Sequence, residues 1–406
     1  MLIGIDASRT TAARRTGTGI YSLNLIRALL DLGTAHTFRL YFNEAPSPGI
    51  LDPGGPPATP PGDREHSAPH EMAASIKTPG NGRPHVEYRV MPFPRLWTHA
   101  RLSWEMATQP PDLLFVPAHV LPLVHPRRSV VTVHDLGYLY YPQAHTLFQN
   151  LYLRWSTRRN ARAAVRLLAD SEATRQDLVR HYHTHPDKVE VVYPGRDESL
   201  APIADPQSLR RARARYGLSA TDPYLLYVGT LHPRKNLVRL VQAFAATLAR
   251  LDEPLYLVLA GQKGWLYDDI FAEVRRLGLD GRVLFPGFVP AGDLPSLLSG
   301  ALAFVFPSLY EGFGLPVLEA MACGSPVVCS NTSSLPEVAG DAALLVDPLD
   351  VDALASALLR IVADESLRLE LIDRGFRQVR RFSWTGAARQ TMHILKEAGR
   401  GSDGRD

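Results

Sequence analysis

Short apolar runs recur along the chain, and a longer helix-like segment follows each one. In the first half they are Leu2–Asp6, Phe38–Phe42, Val86–Val90, Leu113–Val116, Ser129–His134, Leu167–Asp170 and Val189–Tyr193. In the second half they are Tyr224–Val228, Leu255–Ala260, Val283–Phe285, Ala303–Phe306, Pro326–Ser330 and Ala343–Val346. Continuous rather than alternating apolar character marks strands buried on both faces. Alternation of such strands with helices predicts α/β architecture with parallel sheets covered by helices. About thirteen strands are too many for one compact doubly wound sheet, so two sheets of six or seven are expected. A (β/α)8 barrel would need eight evenly spaced units, and that spacing is absent.

The pattern also places boundaries. The 406 residues suffice for two domains of ordinary size. A linker is expected from Tyr193-Pro194-Gly195 to about Thr221, with a helix over Leu209–Tyr216. Ala45 to Pro84 contains ten prolines and six glycines without periodicity. Such a segment cannot bury enough apolar surface to offset chain entropy, and is expected as a mobile insertion. The last residues, Gly399–Asp406, are expected as a disordered tail.

Composition narrows the class. A net charge of +3 argues against a nucleic-acid-coating surface. The two cysteines, Cys323 and Cys329, are too few for a disulfide framework and fit a reducing compartment. No apolar stretch approaches the ~20 residues of a membrane span. The N-terminus shows no signal-peptide pattern. A cytoplasmic protein is therefore expected, with membrane contact at most peripheral. Leu151–Arg166 carries Trp155 and five arginines, Arg154, Arg158, Arg159, Arg162 and Arg166. It could lie on the inner face of an anionic membrane or be an ordinary solvated helix face.

In open α/β sheets ligands bind beyond the carboxyl ends of the strands. After the first strand comes Thr16-Gly17-Thr18-Gly19-Ile20-Tyr21 and an amphipathic segment, Leu23–Leu30. Glycines there would let backbone approach a ligand at a helix start; a flexible loop with a cap would look the same. After the fifth strand comes Val133-His134-Asp135, where a pocket-edge histidine either touches ligand or is satisfied internally. The first strand of the second half leads into Gly229-Thr230-Leu231-His232-Pro233-Arg234-Lys235-Asn236, then helix-like Leu237–Ala249. Two cations at a helix start oppose its dipole, and a bound anion would resolve the conflict. Two solvated side chains are the plainer alternative.

The stretch LYEGFGLPVLEAMACGSPVV, residues 309–328, is the most informative. Pro316 suits a first helical turn and Gly324 a stop, which predicts a helix from about Leu315 to Cys323. Glu311 then precedes the helix and Glu319 lies about one turn inside it. The N–H groups of Phe313, Gly314 and Leu315 lie between them. That is an anion cradle flanked by two hydroxyl acceptors, the shape of a diphosphate with a sugar on either side. No Asp-x-Asp pair or histidine cluster nearby supports a metal site.

EGFGLPVLE, with VGTLHPRKN, TGTGIY and VTVHD in this order, resembles the retaining glycosyltransferases of family 4. The resemblance runs from about Leu2 to Trp384, apart from the Ala45–Pro84 insertion, and Phe382-Ser383-Trp384 is similar to the family's closing segment. It implies the GT-B fold, two Rossmann-like doubly wound domains facing a central cleft whose closure assembles the site. The N-terminal, acceptor-side domain would span residues 1–200 and include the insertion at 45–84. The nucleotide-sugar domain would span 201–380, and a helix at 381–398 would return to the first domain before the tail at 399–406.

The resemblance also implies roles. Glu311 would contact the donor sugar and Glu319 the ribose hydroxyls. Phe313, Gly314 and Leu315 would hold sugar and phosphate. Lys235 with Arg234 would neutralise the departing diphosphate, and His134 would approach the sugar. Gly17, Gly19 and Gly229 would line the donor site, and Gly287-Phe288-Val289 would meet the base. Thr230 stands where many members have arginine, which leaves Arg234 and Lys235 as the diphosphate cations.

The implied activity is a retaining hexosyltransferase using a nucleoside-diphosphate sugar as substrate, with no cofactor and no metal. The VGTLHPRKN and EGFGLP variants are most similar to mannosyltransferases of bacterial polysaccharide synthesis, which favours GDP-mannose and keeps UDP-sugars open. The acceptor would be a saccharide or lipid-linked saccharide. A sugar-nucleotide epimerase of the same fold, or a non-catalytic nucleotide-sugar-binding scaffold, are the alternatives. A glycogen or sucrose-type synthase usually carries an N-terminal lysine-glycine signature, absent here.

Overall fold

The computed structural model describes residues 1–11, 17–52, 84–118, 120–144 and 146–400. The bulk of the Ala45–Pro84 segment and of the C-terminal tail, and Thr16 of TGTGIY, lie outside the described residues. Two compact units form, Met1–Gly195 with Ser383–Asp406, and Arg196–Phe382.

Among its described residues the first unit holds seven strands: β1 (Leu2–Asp6), β2 (Thr37–Phe42), β3 (His85–Val90), β4 (Leu113–Val116), β5 (Ser129–Val133), β6 (Arg166–Ala169) and β7 (Val189–Val191). Their order is β3-β2-β1-β4-β5-β6-β7, and every pairing is parallel. Ile5 pairs with Leu40 on one side and Phe115 on the other, and all three are fully buried. Helices cover both faces, which is why these runs are apolar throughout rather than alternating. The Gly17–Leu30 and Trp384–Arg400 helices share one core layer, with Leu25, Leu29, Ala388 and Leu395 buried together. Gly195 leaves room for that C-terminal helix, because a Cβ there would lie 2.2 Å from the Trp384 nitrogen.

The second unit holds β8 (Tyr224–Val228), β9 (Tyr256–Ala260), β10 (Val283–Gly287), β11 (Ala303–Phe306), β12 (Val327–Ser330) and β13 (Ala343–Val346). Their order is β10-β9-β8-β11-β12-β13, again parallel throughout. The order reverses between β8 and β11. At such a switch point the flanking helices lie on opposite faces and a crevice opens beyond the strand ends. The two motifs that flank this crevice are those after β8 and β11. In the first unit the corresponding reversal lies between β1 and β4.

The expected two sheets of six or seven strands and the Rossmann-like layering are what the chain adopts. Small shifts occur at element ends. The linker helix runs Pro206–Arg215, and β5 stops at Val133, so His134 is the first residue beyond the strand. The glycine-rich segment after β1 is already helical from Gly17.

Candidate functional site

After β8 the chain turns outward at Gly229, whose N–H donates to Ala260, while Gly261 donates to Gly287 at 2.7 Å. The β8, β9 and β10 ends are thereby tied together. Gly261 has φ +152°, and a Cβ there would meet the Gly229 carbonyl oxygen at 1.9 Å, so only glycine fits. Pro233–Lys235 then form a single 3-10 turn, and Asn236 takes a left-handed conformation (φ 61°) before the Leu237–Leu248 helix. The Asn236 amide donates to the Pro348 carbonyl at 2.6 Å, which anchors the turn. Arg234 and Lys235 therefore precede the helix rather than sit in its first turn.

After β11 the chain enters Glu311-Gly312-Phe313-Gly314. Ser334 pins this loop by donating to the carbonyls of Glu311 (3.0 Å) and Phe313 (2.6 Å). Ser333 accepts the Glu311 N–H at 3.0 Å, from a left-handed backbone position (φ 53°). Gly314 starts the Leu315–Ala322 helix at φ 122°, and a Cβ there would reach Leu335 at 2.8 Å. Phe313 is buried edge-on against Phe382, centroids 5.7 Å apart. The first N–H groups of the helix have no carbonyl one turn back to accept them.

The two loops meet through charge. Lys235 Nζ pairs with Glu311 Oε1, both side chains 11% exposed, and lies 4.9 Å from the Phe306 ring centroid. Burial alone would raise the Glu311 carboxyl, but the adjacent Lys235 and Arg234 outweigh it and hold it below its ordinary value. His232 shows the reverse effect. Burial, then Lys235 and Arg234, push it down to about 4, so the ring is neutral, and its buried Nδ1 has no partner among the described residues.

Glu319 differs from Glu311. Its carboxylate has no hydrogen-bond partner among the described residues. Burial, and then the charge of Asp197, raise it to about 7. Gly229 lies at the end of β8. Phe288 and Val289 follow β10, and Phe288 lines a pocket of about 320 Å³ with Arg215, Tyr216, Pro286 and Pro290. In the second unit the fold thus joins the loops that carry Arg234 and Lys235 and that carry Glu311, Phe313, Gly314 and Leu315, with Glu319 one turn further along the helix.

In the first unit His134 is held at both ring nitrogens. Nε2 lies 2.9 Å from the Pro117 carbonyl, which can only accept, so this nitrogen carries a proton. Nδ1 lies 2.6 Å from Asp170 Oδ2 and shares the second proton with it. Burial alone would lower the imidazole, but Asp170, together with the Pro117 carbonyl and Asp135, raises it above its ordinary value. Tyr21 stands edge-on to the ring at 4.7 Å, and Thr174 donates to the His134 carbonyl at 3.3 Å. Both nitrogens being engaged, His134 presents charge rather than a free nitrogen. Gly17 and Gly19 lie in the first turn of the helix that carries Tyr21, Gly19 buried and Gly17 exposed.

Sequence reasoning missed Asp170, Asp197, Ser333, Ser334 and His232. Asp170 lies 36 residues from His134, at the end of β6, and only the strand order makes the two neighbours. Ser333 and Ser334 follow β12 in the same way. Reading every strand end, rather than those with glycines or cations, would have found them. The two cysteines are buried free thiols, as their apolar surroundings predict, each pushed up to about 12 by burial. Among the described residues no group of three metal-ligating side chains forms.

The chain is similar to known proteins. The Glycosyltransferase Family 4 model matches residues 15–200, and the Glycosyl transferases group 1 model matches residues 210–378. The O-antigen chain mannosyltransferase B of Escherichia coli is 37% identical over 269 residues, 66% of this chain and 70% of that protein. The serotype-specific mannosyltransferase WbdA of Escherichia coli is 29% identical over 272 residues, 65% of this chain but only 32% of that longer protein. The structure of Anabaena Alr3699/HepE in complex with UDP-glucose superimposes with a TM-score of 0.69 at 18% identity, covering 98% of this chain and 99% of that one. At that identity the likeness is one of fold, the GT-B architecture. With two family models covering successive halves and a relative matched over most of its length, the chain belongs to glycosyltransferase family 4.

Proposed function

We propose that this protein transfers a hexose from a nucleoside-diphosphate sugar, GDP-mannose before UDP-sugars, to a saccharide or lipid-linked saccharide acceptor. Transfer would retain anomeric configuration, need no metal or cofactor, and serve surface polysaccharide synthesis on the cytoplasmic side of a membrane. One observation supports the sugar and the pathway: the similarity to the two mannosyltransferases. Residues 1–200 would carry the acceptor side and 201–380 the donor side, with 381–398 completing the first domain.

The observation that carries the proposal is the switch-point arrangement in the second unit. Arg234 and Lys235 follow β8, Glu311 and the start of the Leu315–Ala322 helix follow β11, Lys235 pairs with Glu311 across the two loops, and Glu319 lies one turn into that helix. A diphosphate there would meet two cations and the positive end of a helix, already oriented before any reaction. Charge growing on the leaving diphosphate would thus be stabilised by fixed groups, and the protein would supply what a divalent ion supplies elsewhere. Glu319 would accept from two ribose hydroxyls, whose hydrogen bonds favour the ionised carboxylate. Glu311, held by Lys235, would accept from a sugar hydroxyl. The exposed Phe288 would offer a face for the base.

The test is turnover of GDP-mannose, UDP-glucose and ADP-glucose with mannose-containing acceptors, in EDTA, read by mass spectrometry of the glycan. A product lengthened by one hexose from a single donor is the expected result. Intact donors with every acceptor, despite tight nucleotide binding, would favour the scaffold. Conversion of the donor to an isomer would favour the epimerase.

A further inference from the structure

Exposed apolar side chains are distributed unevenly over this molecule. Among the described residues, ten of the sixteen large hydrophobics that stand exposed lie between residues 93 and 155, all in the first unit. Four of them, Leu147 (87%), Phe148 (79%), Leu151 (67%) and Trp155, occupy the first half of the Leu147–Ala163 helix. The opposite face, Asn150, Ser156, Thr157, Asn160 and Ala161, is the buried one. Normal amphipathic logic is inverted here. Small and polar residues pack inward, and large apolar ones point to solvent.

The outward face is also basic. Leu147, Leu151, Trp155, Arg158 and Arg162 follow at spacings of three and four, so they share one stripe, with Arg154 beside it. Arg154, Arg158 and Arg162 are exposed. Arg159 is not part of this set. Its guanidinium donates to the carbonyls of Leu121, Pro122 and Leu123 (2.9, 2.7 and 2.7 Å) and fastens the helix to a loop. Arg166 is half-buried. The helix contains no acidic residue. Residues 91–166 hold nine arginines against three acidic residues, a net charge of +6 where the whole chain carries +3.

The face is rigidly built. Thr146 and Gln149 form a reciprocal cap at the helix start. His99 bonds Tyr152 at 2.7 Å and packs edge-on to Trp155, which joins the helix to the turn that precedes exposed Trp104. Among the described residues no helix is long and apolar enough to cross a membrane. What the stripe offers is apolar side chains at one end and cations at the other, in one plane. A soluble partner would need a matching acidic and apolar surface, whereas an anionic bilayer presents both layers everywhere.

We propose that the outward face of the Leu147–Ala163 helix docks the protein on an anionic lipid surface. Leu147, Phe148, Leu151 and Trp155 enter the interface, and Arg154, Arg158 and Arg162 meet headgroup phosphates. The inference concerns a surface separate from the donor site and does not depend on it. It gives a lipid-linked acceptor a reason to be within reach.

The full-length protein is sedimented with vesicles of phosphatidylcholine alone and with about 30% phosphatidylglycerol added, the second carrying the negative surface that attracts basic side chains. Binding to the anionic vesicles is expected, weakening as salt is raised. Arg154→Gln, Arg158→Gln and Arg162→Gln together should lower partitioning by ~100-fold, and Leu147→Ser, Phe148→Ser and Leu151→Ser together by a similar factor. All six positions are exposed, so nucleotide-dependent thermal stabilisation should stay as in the parent and report intact folding. Wild-type protein left in the supernatant with anionic vesicles overturns the proposal. So does vesicle binding that both triple variants retain. A change of sedimentation coefficient in the serine variants without vesicles would reassign the face to contact between copies of this chain.

Discussion

The carboxyl ends of the two sheets treat buried charge in opposite ways. In the first unit His134 is closed off, with one nitrogen on a carbonyl and the other on Asp170, and its proton affinity rises. In the second unit Lys235 and Glu311 satisfy one another, but Glu319 and His232 are left with unmet hydrogen-bonding capacity in a half-buried setting. A half-buried polar group without a partner costs free energy, and folding alone gives no reason to keep one. The difference teaches where the ligand belongs. The His134 ring is satisfied without a ligand, although Asp170 Oδ1 beside it stays buried without a partner among the described residues; in the second unit a ligand would complete the site.

The comparison can be broken most forcefully at Lys235. Lys235→Ala strands the Glu311 carboxylate and should destabilise the protein by about 3–5 kcal/mol. Transfer should fall by ~10²–10³-fold. Lys235→Met with Glu311→Leu should recover much of the stability in denaturant titration but none of the activity. Equal instability of the single and double variants would mean that the pair is not the element holding the two loops.

Glu319 sharpens the contrast through pH. Its folded pKa, about 7, lies above the ordinary carboxyl value of 4.5. Ionising it therefore costs stability, a cost absent below about 4.5 that grows through the interval and is complete above about 7. Glu319→Gln should stabilise the unliganded protein by roughly 1–3 kcal/mol at pH 8 and by little at pH 4.5. A uniform effect across that range would contradict the assignment of the charge as the cause.

Asp170 gives the smallest expected change. His134 has a raised folded pKa, so its contribution is full below the ordinary histidine value and is lost as pH rises through the folded one. Asp170→Asn should cost about 1–2 kcal/mol at pH 6 and progressively less at higher pH. The His134 imidazole resonance should titrate at lower pH in the variant. An unmoved titration would show that Pro117 and burial set the proton affinity instead.

Much of this fold could be read from the chain. Thirteen strands fall where the apolar runs lie, because parallel strands covered on both faces cannot alternate. The Leu315–Ala322 helix was legible from Pro316 and Gly324, which act locally. What could not be read was every contact set by strand order. His134 meets Asp170 because β5 pairs with β6, and Lys235 meets Glu311 because β8 pairs with β11. That Lys235 also pairs with a carboxylate, Glu311, was not legible for the same reason. The burial that raises Glu319 also escaped the sequence, because a lone glutamate one turn into a helix is ordinarily solvated.

Glu319, unpartnered in the unliganded protein, should hold a nucleotide ribose. Thermal stabilisation of wild type and Glu319→Ala against GDP, UDP and ADP, in EDTA, decides this. At ~100 times its dissociation constant the correct nucleotide should add about 2.7 kcal/mol to the wild type. One nucleotide, GDP before the others, should shift the wild type, and the shift should vanish in the variant. An equal shift in both proteins would contradict the account, because the ribose would then be held without Glu319.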